Sequence, residues 1–442
     1  MSGWLGHPVR LVPLAFLVAI AVGAVLLMLP VAHRDDGAVL LPALFTSVSS
    51  VCVTGLTTVD TAEHWTPFGQ AVILGLVQVG GFGIMTLATL LGLLMTGRLG
   101  LRGTLTAQVE THAVNLGDVR SVLRRVAVTM ASFEAVVAVV LTARFRAAYD
   151  DGLATAAWHG LFHAVSAFNN AGFALYSDNL IGFVGDPWVM LPISAAVVAG
   201  GIGFPVLAEL FRHLGRPTRW SVHTRITVWG TALLLVVGIG SFLLFEWGNA
   251  GTIGGLGAGE KVVAGVTGGV MPRTAGFNSV DYAQITPETM SIQYVLMFIG
   301  GGSAGTAGGI KVTTFFLLAY VIWAEVQAER DVVVGHRRVG SAATRQALSV
   351  ALLGVAVVAA GTLAILVVTD LALDVVLFEA ISAFATVGLS VGITPSLPWS
   401  AQVVLMLLMF VGRVGTITVA SAFAMRSRHR LYHLPEERPI VG

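Results

Sequence analysis

Cysteine and charge are both scarce in this chain. Cys52 is the only cysteine in 442 residues, so the chain forms no internal disulfide. Charged residues make up 11%, whereas soluble globular proteins carry about 25%. The net charge is +1 and no basic arm or zinc-finger spacing is present, so we expect no nucleic-acid partner. With 55% hydrophobic residues, a mean hydropathy of +0.84 and long apolar runs throughout, the sequence predicts a polytopic membrane protein.

Signatures of catalysis, nucleotide binding and voltage sensing are also missing. No nucleophile–base or metal constellation is present, so we expect no enzyme and no cofactor in this chain. His159 and His163, four residues apart, are compatible with a metal pair or with a structural pair, and no third ligand accompanies them. The glycine-rich stretch 300–311 lacks the Gly-Lys-Ser/Thr ending of a nucleotide loop, which favours a flexible break inside a membrane helix. No arginine series at every third position marks a voltage sensor.

A short marker recurs along the chain. In three places a Leu-Phe pair is followed by a serine five residues after the leucine and a glycine eleven after it. A fourth copy is degenerate, with Gly265-Val266 in the Leu-Phe place, Val270 in the serine place and Gly276 in the glycine place. The three intact copies are Leu44, Ser49 and Gly55; Leu161, Ser166 and Gly172; and Leu377, Ser382 and Gly388. The chain is therefore predicted to be a tandem repeat of four units.

The flanks of the marker repeat as well. A long apolar helix is predicted before each copy, at 9–30, 122–145, 224–247 and 342–369, and after each copy, at 67–95, 188–214, 292–326 and 401–425. A glycine cluster interrupts the pattern of each following helix, at Gly80-Gly81, Gly200-Gly201, 300–302 and Gly412 with Gly415. The segments between them, such as 161–169, are too short to cross about 30 Å of hydrocarbon and are predicted to be re-entrant.

The predicted fold is an all-α polytopic membrane protein with four tandem helix–pore-helix–filter-loop–helix repeats. Eight spanning helices and four re-entrant half-helices are expected in a pseudo-four-fold arrangement around a central pore. The predicted boundaries are 1–97, 98–215, 216–328 with an intramembrane loop, and 329–426, followed by a cytosolic tail at 427–442. Basic residues cluster in 97–125, 211–225, 327–345 and the tail, and the loops after the marked glycines carry none, so both termini are predicted to be cytosolic.

Two spans per unit give all four units the same orientation. Inverted-repeat transporters need an odd number of spans per unit, so this arrangement favours a pore, while a secondary transporter with a midplane site stays as the competing class.

The marked segments are the three residues ending at each marked glycine: Val53, Thr54, Gly55; Asn170, Ala171, Gly172; Thr274, Ala275, Gly276; and Thr386, Val387, Gly388.

A potassium filter replaces the water shell of the ion with rings of backbone carbonyls, and glycine adopts the required dihedrals without steric cost. The marked segments are therefore predicted to bind potassium. The alternative is that these glycines only let helices pack closely, which accounts for the clusters in the long helices but not for a glycine after each re-entrant segment. Asp60, Asp178 and Asp281 follow their glycines by five or six residues, and either attract cations or belong to solvated loops.

The stretches VTGLTTVD, FNNAGF, RTAGFN, TVGLS and GGGSAGTAGGIK resemble the Trk/Ktr/HKT potassium-transport superfamily over essentially the whole chain. The single helix before the first marked segment resembles the membrane subunits of bacterial Ktr systems more than the longer Trk subunits. In the superfamily, glycine at all four filter positions accompanies potassium selectivity, and serine at the first marks many sodium-selective plant members. Position 55 is glycine here.

The resemblance also implies a gate below the filter. It places an intramembrane loop at Gly301, Gly302, Ser303, Gly305, Thr306, Gly308 and Gly309, with Lys311 beside it. It implies that Arg413 contacts this loop and blocks the cation path. Independently of the resemblance, Arg273 precedes the third marked segment, where we expect it to brace the filter by donating to carboxyl or carbonyl groups. Glu134 lies mid-way along an apolar helix, and the sequence names no partner for it.

Partners and location are implied by the same resemblance. It implies potassium uptake across a bacterial cytoplasmic membrane by a homodimer with Gly442 near the dimer contact. A cytosolic ring of nucleotide-binding regulatory subunits (KtrA-like), with ATP favouring and ADP opposing activity, is expected to dock on segments 97–121 and 327–341. Potassium is expected in the filter, with sodium as a second candidate ion and uptake expected to depend on sodium. A sodium-permeable or poorly selective transporter of the same superfamily stays open as an alternative.

Overall fold

The structure, a computed structural model, describes residues 8–34, 40–100, 116–149, 152–329, 331–335 and 337–415, with side chains described at 12–34, 40–89 and from 120 onward within those ranges. The tail 427–442, the end of the fourth predicted unit at 416–426, Gly442 and most of segment 97–121 lie outside the residues described in this way.

The described chain forms helices in four successive groups, each containing a short helix that follows a longer one. The first group is α1 (Pro8–Leu27), α2 (Leu40–Cys52) and α3 (Pro67–Gly100), and the second is α4 (Leu116–Ala148), α5 (Leu153–Phe168), α6 (Pro187–Ile202) and α7 (Phe204–His213). The third is α8 (Val222–Glu246), α9 (Ala258–Val270), α10 (Pro287–Phe298) and α11 (Val312–Val326), and a two-stranded hairpin, β1 (Val333–Val334) and β2 (Arg337–Arg338), follows it. The fourth is α12 (Ser341–Val368), α13 (Leu373–Phe384) and α14 (Trp399–Phe410), extended by a π-helical turn at Val411–Gly415.

Length and composition separate these helices into two classes. Four described stretches are long and apolar enough to cross a membrane alone: Pro67–Thr89, Arg120–Ala148, Val222–Glu246 and Ser341–Val368. The bent pair α6 and α7 would make a fifth. Of the remaining predicted spans, 9–30 and 401–425 are only partly described and 292–326 is broken, so the number eight stays a prediction. The short helices α2, α5, α9 and α13 have 13, 16, 13 and 12 residues, about 18–24 Å at 1.5 Å per residue.

The carboxyl-terminal halves of the short helices form the centre of the molecule. Residues 45–52, 162–168 and 378–384 are buried without interruption. The phenylalanine of each intact Leu-Phe marker, Phe45, Phe162 or Phe378, is completely buried, and burying such a side chain contributes about 1.5–3 kcal/mol. The recurring Leu-Phe pair therefore marks the side chain that anchors each of these three helices in the core.

Each group packs against the next one along the chain, and the fourth packs against the first. The helix after each marked segment packs against the short helix of the next group: α3 on α5, α6 on α9, α10 on α13, and α14 back on α2. These contacts link the four groups in chain order and join the fourth group to the first.

Two of the helices that follow a marked segment are broken. The chain bends by 102° between α6 and α7 at Gly203, whose φ of 97° is readily adopted only by glycine, and Pro205 lies in the first turn of α7. In the third group, a loop separates Phe298 at the end of α10 from Val312 at the start of α11. By contrast, α3 runs through Gly80-Gly81 as one helix, so the expected interruption does not break the backbone there.

Candidate functional site

The four marked segments share an unusual backbone conformation. Their first residues have φ between 49° and 65°, and their glycines have φ between 69° and 95°, while the residue between them is not in this region. The first residues are Val53, Asn170, Thr274 and Thr386. Positive φ is rare outside glycine and exceptional for β-branched residues, and it costs about 1–3 kcal/mol each. Strain repeated at four equivalent places is typical of a functional backbone.

The same four segments meet one another through carbonyl oxygens. A Cβ added to Gly55 would lie 2.2 Å from the carbonyl oxygen of Ala171, and one added to Gly172 would lie 2.9 Å from that of Ala275. The corresponding distances are 2.2 Å from Gly276 to the carbonyl oxygen of Val387, and 2.0 Å from Gly388 to that of Thr54. Each glycine thus faces the carbonyl of the middle residue in the next segment, and the fourth faces the first. Four equivalent carbonyl oxygens form a ring in chain order.

The serine of the marker holds the segment that follows it. The Ser49 hydroxyl accepts a hydrogen bond from the Gly55 N–H at 3.0 Å, and the Ser382 hydroxyl accepts one from the Gly388 N–H at 3.1 Å. In the second group, the Ser166 hydroxyl donates instead to the Phe173 carbonyl at 2.8 Å. The degenerate copy has valine there, and its segment is held by the Met271 carbonyl, which accepts from the Ala275 and Gly276 N–H groups at 3.0 and 3.4 Å.

Two buried side chains fix the backbone just beyond the ring. The His163 Nε2 accepts from the Leu175 N–H at 3.3 Å, and the Nδ1 lies 2.7 Å from the His159 carbonyl, which assigns the proton to Nδ1. At the same place in the fourth group, Glu379 accepts from the Val391 N–H at 3.1 Å, from the Thr394 hydroxyl at 3.0 Å and from the Ser390 hydroxyl. Both side chains reach the N–H twelve residues further along the chain. His163 thus has a structural role, and no group of three or more metal-ligating side chains occurs in the described ranges.

Glu134 has partners that link three helices. The carboxylate of Glu134 on α4 accepts from Gln78 on α3 at 3.2 Å and from the Asn169 amide at 3.1 Å. The Asn169 amide also donates to the Gln78 side-chain oxygen at 2.8 Å. Asn169 follows α5 and immediately precedes Asn170, so this buried network holds the entry to the second marked segment.

The glycine clusters lie against the ends of the short helices. A Cβ on Gly80 would lie 2.1 Å from the Val51 carbonyl oxygen, one on Gly200 would lie 1.8 Å from that of Phe168, and one on Gly412 would lie 1.6 Å from that of Phe384. Each of these carbonyls belongs to the residue four before a marked glycine. The clusters therefore let a following helix pack directly on the last turn before the ring, which is close packing of the kind small residues allow.

A buried loop, residues 299–311, lies directly against the ring. The Thr306 hydroxyl donates to the Asn170 side-chain oxygen at 2.9 Å, with the Phe168 carbonyl also at 3.2 Å. A Cβ on Gly308 would lie 1.9 Å from the Thr386 hydroxyl. The loop thus contacts both the second and the fourth marked segments, and glycine at 308 allows that approach.

The rest of the predicted gate holds this loop in shape. Backbone hydrogen bonds join Gly302 to Gly201, Thr306 to Gly200 and Gly305 to Gly302, and the Ser303 hydroxyl lies 2.9 Å from that of Thr313. Gly301 packs against Ala307, and Gly309 takes a φ of 63°. Lys311 donates to the Ala307 carbonyl at 2.5 Å, with the Gly308 carbonyl at 3.5 Å.

Two buried arginines end on the loop. Arg413, 2% exposed and in the π-helical turn, donates to the Thr306 carbonyl. Arg273, 5% exposed, donates to the Gly300 carbonyl at 2.7 Å. Its partner is a carbonyl, as expected, but one at the start of the loop rather than in the ring. The Nε and one Nη atom of each guanidinium have no hydrogen-bond partner among the described residues.

The acidic residues Asp60, Asp178 and Asp281 cap turns of their own loops. Asp60 accepts from the Ala62 N–H at 2.7 Å, Asp178 from the Gly182 N–H at 2.9 Å and Asp281 from the Ala283 N–H at 3.0 Å. Each carboxylate therefore has a local structural role in the loop that follows its marked segment.

Comparison with known proteins identifies the family. The TrkH family, described as a cation transport protein, matches residues 14–431. The chain belongs to the TrkH family. The superfamily prediction is thereby confirmed, and this TrkH-family chain is a helical, multi-pass membrane protein.

Several characterised relatives match the TrkH-family chain over nearly its full length. It is 37% identical to the Ktr system potassium uptake protein B of Bacillus subtilis, covering 98% of this chain and 97% of that protein. The protein of the same name from Vibrio alginolyticus is 36% identical, with 99% and 95% covered. The potassium/sodium uptake protein NtpJ of Enterococcus hirae is 33% identical, with 98% and 97% covered. All three are named as transport proteins and not as enzymes.

A solved structure shares the fold. The crystal structure of the potassium transporter TrkH from Vibrio parahaemolyticus matches with a TM-score of 0.72 and 17% identity, covering 95% of this chain and 86% of that one.

Several contacts of the TrkH-family chain could not be read from the sequence, namely the links from the marker serines, His163, Glu379 and Asn169 to the marked segments. The repeated serine position was the only signal that pointed to any of them.

Proposed function

We propose that this chain mediates potassium uptake across the membrane through the ring of carbonyl oxygens from Thr54, Ala171, Ala275 and Val387. The observation that carries the proposal is that each carbonyl lies against the glycine of the neighbouring segment, in a closed order. Rings of backbone carbonyls are the groups that replace the water shell of potassium. The names of the Ktr relatives support the same ion.

The surroundings of the ring favour a cation. Each short helix ends just before a marked segment, so the partially negative carboxyl ends of α2, α5, α9 and α13 point to the ring. The first residue of each segment has a strained positive φ that aligns the carbonyls, and the serine, histidine and glutamate contacts hold the backbone in this conformation.

Substitution of the ring glycines tests this function. Gly388→Ser places a Cβ against the Thr54 carbonyl, and Gly392→Ser is the matched control because Gly392 also has positive φ, 89°, but opens onto free space. We expect Gly388→Ser to lower the preference for potassium over sodium by about tenfold or more in liposome flux, equivalent to about 1.4 kcal/mol, while Gly392→Ser keeps it. Unchanged potassium preference in a folded Gly388→Ser, Gly55→Ser double variant would contradict the proposal.

A sodium-permeable or poorly selective transporter is the second candidate, because one relative is named a potassium/sodium uptake protein. The wild-type flux ratio of the two ions in the same liposomes separates it from a potassium-selective protein. A fixed stoichiometry between potassium and sodium movement would instead indicate a secondary transporter with a midplane site. Measurement of potassium uptake with and without sodium addresses the expected sodium dependence.

We infer that the loop 299–311 and Arg413 form the gate. The loop is buried against two marked segments, and Arg413 is held on it by the Thr306 carbonyl. A cation passing a buried guanidinium at about 4 Å is opposed by about 4 kcal/mol at an effective dielectric constant of 20. Arg273 and Lys311 support the loop through its carbonyls.

We also propose how the chain is arranged in the membrane. Four parallel units at 1–97, 98–215, 216–328 and 329–426 would supply eight spans around the pore, with both termini on the cytosolic side of a bacterial cytoplasmic membrane. The basic segments at one end of the long helices support this orientation. Labelling of single cysteines placed in 174–186 and 327–345 from either side of sealed vesicles tests it.

We further propose that the protein is a homodimer that docks on a cytosolic ring of nucleotide-binding subunits, with ATP and ADP acting on that partner. A pore without control would dissipate the membrane potential, and the resemblance to Ktr membrane subunits supports this form of control. The test is the mass of the purified protein in detergent, with capture of the cytosolic subunit by the full chain and by a chain lacking residues 430–442. A monomer that captures nothing and transports at full rate would contradict it.

A further inference from the structure

A large cleft lies away from the carbonyl ring, between α4 and α7. Its volume is about 980 Å³. Four arginines line it: Arg120, Arg124 and Arg125 on α4, and Arg212 on α7. All four are exposed, and none forms a hydrogen bond or ion pair within the described part of the chain. The described lining residues include no acidic side chain, so the cleft concentrates positive charge.

The floor of the same cleft is apolar. Val128, Phe204 and Leu207 line it, together with Phe211, whose side chain is 72% exposed. An aromatic ring this exposed beside an open apolar surface is costly in water but is accommodated by acyl chains. A site for a small inorganic anion would need the arginines but not this floor.

The position of the cleft places it at a membrane surface. Helix α4 begins at Leu116 and is apolar enough to cross a membrane, so its three arginines lie within the first three turns of a candidate membrane helix. The 102° bend at Gly203 turns α7 away from the direction of α6, across the end of the bundle. Amphipathic helices in this orientation lie in the interface, and basic pockets between membrane helices on the cytosolic side bind anionic headgroups.

We propose that this cleft binds one anionic phospholipid, with its phosphate on the arginines and an acyl chain along Val128, Phe204 and Phe211. The charge selects an anionic headgroup over a zwitterionic one. The apolar floor distinguishes a lipid from free phosphate. The proposal does not depend on which ion the protein transports.

The experiment uses the full chain in detergent and measures phosphatidylglycerol binding by native mass spectrometry. Arg124→Gln, Arg125→Gln and Arg212→Gln together remove the charge. Ala208→Trp fills the floor and keeps the charge, since Ala208 also lines the cleft. The matched control is Arg216→Gln, Arg219→Gln and Arg345→Gln, which removes the same charge from exposed positions that do not line the cleft.

We expect the triple cleft variant and Ala208→Trp each to weaken phosphatidylglycerol binding about tenfold or more, while the control variant stays within about twofold of wild type. Phosphatidylcholine and inorganic phosphate should not compete. A photoactivatable phosphatidylglycerol in nanodiscs should label peptides from 120–129 and 204–212.

Several results would overturn the proposal. Equal binding of phosphatidylcholine, or wild-type binding by both cleft variants, would remove the lipid site. Normal lipid binding by Ala208→Trp with full competition by phosphate would indicate a simple anion site. If the triple cleft variant bound lipid normally but lost capture of the cytosolic subunit, the cleft would be a protein-docking surface instead.

Discussion

Three of the four residues that begin the marked segments, Val53, Thr274 and Thr386, are β-branched and still lie at positive φ. Strain of about 1–3 kcal/mol at each is sustained only when surrounding contacts over-determine the backbone. The hydrogen bonds that the Ser49 and Ser382 hydroxyls accept from the Gly55 and Gly388 N–H groups are among these contacts. At the scale of single residues, the geometry of the ring is therefore held by side chains that do not themselves line it.

The serine contact predicts a specific loss. Ser382→Ala leaves the buried Gly388 N–H without its side-chain acceptor, which should cost about 1–3 kcal/mol of stability and reduce potassium preference. Ser396→Ala is the control, because Ser396 is exposed and its hydroxyl only donates to the Ile393 carbonyl in the same loop. Thermal unfolding and flux ratios in liposomes measure both effects. Equal behaviour of the two variants would mean that the hydroxyl of Ser382 does not support the ring.

The sequence predicts the residues of the marked segments and the dihedrals of their glycines, but not the positive φ of the residues that begin them. Glycine at 55, 172, 276 and 388 indicates positive φ, because glycine adopts this conformation freely. The positive φ at Val53 or Thr386 is imposed by tertiary contacts against local preference, so no local pattern could reveal it. The Gly300 carbonyl could likewise not be predicted as the partner of Arg273, because only the folded chain brings the two residues together.

At the scale of helices, the fit between a following helix and the last turn of a short helix depends on single glycines. The run of small residues at 80–81 was visible in the sequence, but the absence of a break in α3 was not, since glycine permits either a kink or close packing. The regions of the two breaks lie against each other, since the Gly302 and Thr306 N–H groups donate to the Gly201 and Gly200 carbonyls. Contacts between such distant segments could not be predicted from the sequence.

Two glycines of α3 give a matched test of this packing. Gly80→Ala places a Cβ 2.1 Å from the Val51 carbonyl oxygen and should destabilise the protein by about 1–3 kcal/mol through overpacking. Gly75→Ala, five residues earlier and facing open space, should be neutral or stabilise by up to about 1 kcal/mol, because alanine favours a helix. Thermal unfolding in detergent measures both. A Gly80→Ala protein as stable as Gly75→Ala would show that α3 does not press on α2.

The loop 299–311 predicts a gain of flux. Arg413→Ala, or a shortened loop within 301–309, should raise basal potassium flux in liposomes because each removes a barrier below the ring. Arg345→Ala, an exposed change of the same charge, serves as control. Flux that falls or stays level in both loop variants, with potassium preference intact, would rule out a gate at this place.

At the scale of the whole molecule, the ring closes through contacts between groups rather than through chain connectivity alone. The first two groups and the last two groups are joined by a single connection, between α7 and α8, in an exposed stretch around Gly215. The same two halves also pack on each other, through α6 on α9 and through α14 on α2. The cyclic order could be anticipated from four tandem markers, but which helix packs on which short helix required the structure.

This arrangement predicts that the two halves can be separated. Fragments 1–215 and 216–442 expressed together should restore potassium uptake in a transport-deficient strain, because the packing surfaces between them are complete. Either fragment alone should fail, since it supplies only two of the four carbonyls. Uptake by a single half would show that the ring of four is not the transport path.

The closed ring also determines how the protein can change over generations. In a channel assembled from identical subunits, one altered codon changes every position around the axis at once. Here Thr54, Ala171, Ala275 and Val387 are encoded separately, so one nucleotide change alters a single quarter of the ring. Under the proposed function, ion preference can therefore be adjusted in small, asymmetric steps. The valine in the marker-serine place at position 270 is one of the differences between the quarters.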